Sequence, residues 1–224
     1  VSGIILGPEI GFSALEKKAP STGLLLSLEK QTDLLMVNEM PRVFPQWGVT
    51  HVRNNYGLLF TKLFYHPRGE LVREKQRLLA ELKDACQYED IANVLSLSLY
   101  PPTGQPTNQE AFQESQLVAA REFQTLVDML VLEYPHTALG VATLTAGLDI
   151  PWLVVDRTQD YVHLKTALRT SLEAGAAGLV VGGGNLFAGL NLSEAGLETY
   201  LNTEVRDRLL EINRIIEENQ VDVD

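Results

Sequence analysis

Two apolar stretches of this chain each carry a charge where a buried strand would ordinarily have none. "LLFTKLFYHP" (58–67) holds Lys62 among apolar neighbours, and "VDMLVLEYP" (127–135) carries Glu133 near its end. A lysine in a buried strand is expensive unless it pairs with an acid or binds a ligand. An amine of lowered pKa can attack a carbonyl, and a carboxyl at a strand end can move the protons that such chemistry requires. Lys62 and Glu133 are therefore the candidate catalytic residues, although a Lys–Glu contact between them would by itself show only a structural pair. Strand alternation puts Val127, Met129, Val131 and Glu133 on one face. Further polar residues stand at or near the ends of other apolar runs: Glu29, Ser96, Ser98 and Asp156. Asp156 and Arg157 must point to opposite sides, so at most one turns toward a site and the other caps or pairs with the next helix. The run "LVVGGGNLF" places Gly182, Gly183 and Gly184 where backbone N–H groups could cradle a phosphate.

Several chemistries find no support. The four histidines (His51, His66, His136, His163) show no i, i+4 spacing and no Cys or Glu companions at metal spacing. No G-x-S-x-G, phosphate-loop or H-E-x-x-H pattern occurs, so no metal and no cofactor is expected. The one cysteine, Cys86, excludes an internal disulfide framework, fits a reducing cytoplasm and reads as a packed position of an amphipathic helix. A formal net charge of −11 disfavours nucleic acid and anionic membrane as partners but leaves room for an anionic metabolite in a locally positive pocket. No stretch reaches the ~18 apolar residues needed to span a bilayer.

The elements that must position these residues alternate along the chain. Seven apolar runs (2–7, 23–28, 56–65, 92–100, 127–134, 151–156 and 177–183) are short, rich in Leu, Val and Ile, and bounded by Gly, Pro or polar residues, as buried parallel strands are. Helical periodicity fills 69–87, with Leu71, Leu78, Leu79 and Leu82 on one stripe; 108–126, with Asn108 as N-cap; 158–175, capped by Thr158 or Asp160 and ended by Gly175; and 202–219. A strand–helix alternation of this kind is parallel α/β. An open doubly wound sheet would want a glycine-rich loop after the first strand, which "GPEIGF" (7–12) matches poorly. The clustering of polar residues at strand ends favours a (β/α)8 TIM barrel as one domain over 1–224. "VSGIILGPEIGF" has no signal-peptide features and opens on Val1 inside a strand, so the expectation is a barrel whose first strand precedes Val1.

The order of segments resembles the class I aldolases of the tagatose 1,6-bisphosphate aldolase family, which includes the sulfofructose phosphate aldolases. The stretches that carry the resemblance are "GPEIGF", "GLLLSLEKQ" (23–31), Trp47, "TKLFYHP" (61–67), "VDMLVLEYP", "IPWLVVD" (150–156), "EAGAAGLVVGGG" (173–184) and "TEVRDRLLEINRII" (203–216). The resemblance implies a (β/α)8 barrel in which the present chain begins at the second strand. It also implies that the Schiff-base lysine falls on Val131, the acid/base glutamate near Ser96, the serine of the phosphate loop on Asp156 and the phosphate-binding arginine on Gly183. Glu29, Lys30, Lys62 and Glu133 match. No lysine occurs between Ala85 and His163, so no small shift of register restores one to "VDMLVLEYP".

The leading expectation is thus an aldolase-like barrel that has lost class I chemistry and serves in binding, structure or regulation. Two others stand beside it: an active sugar-phosphate aldolase with Lys62 as relocated nucleophile and Glu133 as its acid/base partner, and a sugar-phosphate sensor using Lys62 and the Gly182–Gly184 loop without turnover. Glu29, Asp156, Gly182, Gly183 and Gly184 are the candidate ligand-binding residues. A phosphorylated sugar is the candidate partner, and a homo-oligomer is left open.

Overall fold

The computed structural model describes residues 2–8, 15–29, 39–43, 46–100, 108–158, 160–182, 186 and 193–219. The strands are β1 (Gly3–Leu6), β2 (Gly23–Ser27), β3 (Leu58–Tyr65), β4 (Asn93–Leu99), β5 (Met129–Glu133), β6 (Trp152–Val155) and β7 (Gly178–Val180). The helices are α1 (Val49–Asn54), α2 (Val72–Glu89), α3 (Gln109–Phe123), α4 (Ala138–Ala146), α5 (Tyr161–Glu173), α6 (Glu194–Tyr200) and α7 (Arg206–Asn219), the last two joined by a π-helical turn over Leu201–Val205. The strands stand in the sheet in chain order, and the pairings β1–β2, β2–β3, β3–β4, β4–β5 and β6–β7 are parallel. A doubly wound sheet would reverse its strand order at a switch point, and this one does not. The fold is an incomplete (β/α)8 barrel.

The contacts divide the chain into two compact units: Val1–Leu132 with Gly147–Pro151, and Glu133–Ala146 with Trp152–Asp224. In the first, alternation sends Leu24, Leu26 and Leu59 to the helix-facing side of the sheet. They form one buried cluster with Val49 and Val52 of α1 and Cys86 of α2. Each such leucine contributes about 2 kcal/mol by leaving water. The buried side of α2 is Lys75, Leu79 and Cys86, with Leu82 packed against the cluster, a spacing of four, three and four that keeps one stripe inward. The sequence had put Leu71 on that stripe. Leu71 instead lies before the helix at φ 57°, because the chain first turns at His66, whose carbonyl accepts the Gly69 N–H.

Local signals position the rest. Asn108 caps α3, its side chain accepting from the Ala111 N–H at 2.7 Å. In the second unit Asp160 caps α5 through the Val162 N–H, and Gly175 follows the helix at φ +96°, a conformation that glycine adopts without strain. Among the described residues no helix is long and apolar enough to cross a membrane.

Candidate active site

In the first unit the ladder sets a row of residues. Lys62 of β3 pairs in register with Ser96 of β4, and Ser96 with Val131 of β5, so the three share one face of the sheet. Glu29 joins the row from beyond β2: its Oε1 accepts the Lys62 backbone N–H at 2.7 Å, and its Oε2 accepts from Ser27 Oγ at 2.8 Å. The Trp47 indole N–H donates to the Ser27 carbonyl at 3.1 Å and so braces this corner. Burial pushes the Glu29 carboxyl up to about 7, against the opposing pull of the Ser27 hydroxyl, the Lys62 N–H and the Lys62 charge. A carboxyl held there can both give and take a proton near neutrality. Lys62 is exposed, with its ammonium 5.1 Å from the centroid of the Phe64 ring, while Thr61 and Leu63 on the other face are only 2% and 0% exposed. The cost of burying a charge inside a strand is therefore avoided by alternation. Val131 is completely buried.

The second unit gathers another group at the ends of β5 and β6. Glu133 meets Arg157 at 3.1 Å, and burial raises the Glu133 carboxyl above its ordinary range despite the nearby Arg157 and His136 charges. Asp156 points the other way and is buried. It accepts from the Thr158 N–H at 3.1 Å and the Thr158 hydroxyl at 2.6 Å, and meets His163 Nδ1 at 3.1 Å. The rings of Tyr134, His136 and His163 pack around this point, Tyr134 edge-on to His136 and to His163 at centroid distances of 5.6 and 5.8 Å and the two histidines tilted at 6.0 Å.

A chain search against family models finds no match. Two curated relatives, the tagatose 1,6-diphosphate aldolases 1 of Streptococcus pyogenes serotypes M3 and M6, are each 27% identical over 157 residues, which is 65% of this chain and 48% of theirs. The chain spans about half the length of the curated relatives it matches. Among solved structures, an archaeal fructose 1,6-bisphosphate aldolase superposes with a TM-score of 0.73 at 18% identity, covering 96% of this chain and 78% of that one. A Schiff-base-forming fructose-1,6-bisphosphate aldolase does so at 0.66 and 20% identity, covering 88% and 78%. The chain has the barrel fold of these aldolases and is similar in sequence to the tagatose 1,6-diphosphate aldolases.

In a (β/α) barrel the expected site is the C-terminal end of the strands. Glu29, Lys62 and Ser96 lie on the described row of the first unit, and Glu133 and Asp156 at the strand ends of the second. Gly182 lies two residues beyond the end of the seventh strand, open enough that a Cβ there would meet nothing within 4 Å. Gly183, Gly184 and Lys30 lie outside the described residues. Lys75 escaped sequence reading. It is 1% exposed on α2, donates to the Phe64 carbonyl at 2.8 Å and lies 5.7 Å from the centroid of the Tyr100 ring. Nothing in a helical pattern of mixed charges marks one lysine as the inward one, except its place four residues before Leu79. His163 and Thr158 were also missed as partners of Asp156, and the i, i+7 spacing of Asp156 and His163 across a helix start was the signal available. A cavity of about 510 Å³ opens at the opposite ends of β4 and β5 beside Cys86, Asp90, Asn93 and Asp128, away from the face where such barrels work. Burial pushes the Cys86 thiol up to about 11, so it is an inert packed group there.

Proposed function

We propose that this protein keeps the aldolase-like barrel without its imine chemistry, and binds a phosphorylated sugar without forming a Schiff base or cleaving a carbon–carbon bond. The observation that carries the reading is Val131, fully buried in register with Ser96 and Lys62, at the position where the resemblance puts the imine-forming lysine. A valine has no amine and Ser96 has no carboxyl, so neither position to which the resemblance assigns the nucleophile and the acid/base group carries one. Lys62 and Glu29 remain as polar groups for the hydroxyls and anionic group of a sugar phosphate, and the single cysteine suits a reducing cytoplasm.

The test is trapping. Dihydroxyacetone phosphate with borohydride should leave the intact mass unchanged, while the same ligand should raise the melting temperature by binding the folded state. A covalent adduct overturns the reading. One observation favours a second reading in that event: Lys62 is exposed, with the Glu29 carboxyl, pushed up to about 7, on its backbone N–H. An adduct abolished by Lys62→Ala would make Lys62 the relocated nucleophile, with Glu29, hydrogen-bonded to its backbone, as a proton-transfer group beside it.

A further inference from the structure

The cavity at the N-terminal ends of β4 and β5 lies wholly within the first unit and shares no residue with the row built on Glu29 and Lys62. Its volume of about 510 Å³ is that of a small-molecule site. Asn93 stands in its wall. Asn93 pairs in register with Leu59, so its side chain takes the helix-facing side of the sheet, where alternation also puts Leu95 and Leu97. The residue is 1% exposed, and both Oδ1 and Nδ2 lack a hydrogen-bond partner among the described residues. The strand ladder asks nothing of that amide. The Asn93 N–H donates to Asp128 Oδ2 at 2.7 Å, and the Asn93 carbonyl accepts the Asp128 N–H at 2.9 Å. A buried carboxamide with donor and acceptor both unmet is costly, and a leucine of similar size would suit that apolar side better. The terminal torsion of asparagine is broad, so a rotation about it turns donor and acceptor toward the cavity together.

The rest of the lining selects the ligand. Ile91 and Leu126 supply apolar surface for a ring. Lys83 is already held by the Thr125 carbonyl at 2.8 Å, and Asp90 and Asp128 set two acids against that one base. Such a balance disfavours an anion. A planar amide offering a donor and an acceptor side by side is matched by a heterocycle with the complementary edge, as asparagine is by the amino group and ring nitrogen of adenine. We propose that this cavity is a second binding site, which takes an uncharged aminopurine nucleoside with the amino edge of its base on Asn93. The site stands independently of the sugar-phosphate reading.

The experiment is isothermal titration of the whole chain with three probes: adenosine, purine riboside, which lacks the amino group, and adenosine monophosphate. Adenosine should bind, and purine riboside, left with the acceptor alone, should bind at least roughly tenfold more weakly. The monophosphate should also bind more weakly than adenosine, because its charge meets two acids. Asn93→Leu should abolish adenosine binding. Gln87→Trp, at an exposed position on the rim, should block it without touching the amide, and gives the answer if Asn93→Leu does not fold. No heat with adenosine, equal affinity for purine riboside, a monophosphate that binds more tightly than adenosine, or binding that survives Gln87→Trp each overturns the proposal. Dihydroxyacetone phosphate should raise the melting temperature of Gln87→Trp as it does that of the unaltered chain, so failure at this cavity leaves the sugar-phosphate reading standing.

Discussion

Glu29 shows how one carboxyl can be tuned by position alone. The Ser27 hydroxyl and the Lys62 N–H donate to it and the Lys62 cation lies nearby, all favouring the charged form, yet removal from water outweighs them and the pKa stands at about 7 instead of 4.5. A carboxyl that binds its proton more tightly when folded stabilises the fold at low pH, and that contribution disappears as pH rises through the folded value. The wild-type protein should therefore lose stability between about pH 4.5 and 7, by up to about 3 kcal/mol for this group. Glu29→Gln keeps an acceptor for the Lys62 N–H and a polar group for Ser27, and has no proton to lose. Chemical denaturation at pH 5 and pH 8 should show the variant flatter across this window and the more stable of the two at pH 8. Equal slopes for the two proteins would mean that Glu29 ionises freely.

At the scale of elements, α2 was legible as a helix and misleading as a surface. The seven strands lie inside the seven apolar runs, because parallel strands covered on both faces are uniformly apolar and their limits are punctuated by Gly, Pro and polar residues. Helix caps at Asn108 and Asp160 were legible for the same local reason. The row Glu29–Lys62–Ser96–Val131 was only half legible. The sequence supplies the alternation within each strand, but the register between strands is a property of the sheet. The face that a charged helix turns inward is likewise decided by the partner it meets, which is why Lys75 was unforeseen. Lys75 joins α2 to the end of β3 through the Phe64 carbonyl, and burial lowers the pKa of its amine. Lys75→Ala removes the stem and the bond together and should cost about 2 to 4 kcal/mol. A base with a lowered folded pKa makes stability rise with pH from that value to the ordinary one near 10.5, so the alkaline rise should shrink in the variant. Urea titrations at pH 8 and pH 10 would check both, and an unchanged midpoint would remove Lys75 from the helix–strand joint.

The whole molecule carries a net charge of −11, and the proposed ligand is an anion. Two electrostatic effects then oppose each other. In the row of the first unit, Lys62 attracts a phosphate over a few ångströms, which salt weakens little. The rest of the surface repels it over distances comparable with the Debye length, about 30 Å at 0.01 M salt and about 10 Å at 0.1 M. Raising the salt from the first concentration to the second removes most of the long-range repulsion while the short contacts persist. Binding of fructose 1,6-bisphosphate should therefore tighten or stay level over that range, whereas a phosphate site on a basic surface weakens. Isothermal titration at the two concentrations measures it. The opposite trend, a Kd that rises severalfold with salt, would place a cationic cluster around the ligand and move the binding site away from the row built on Glu29 and Lys62.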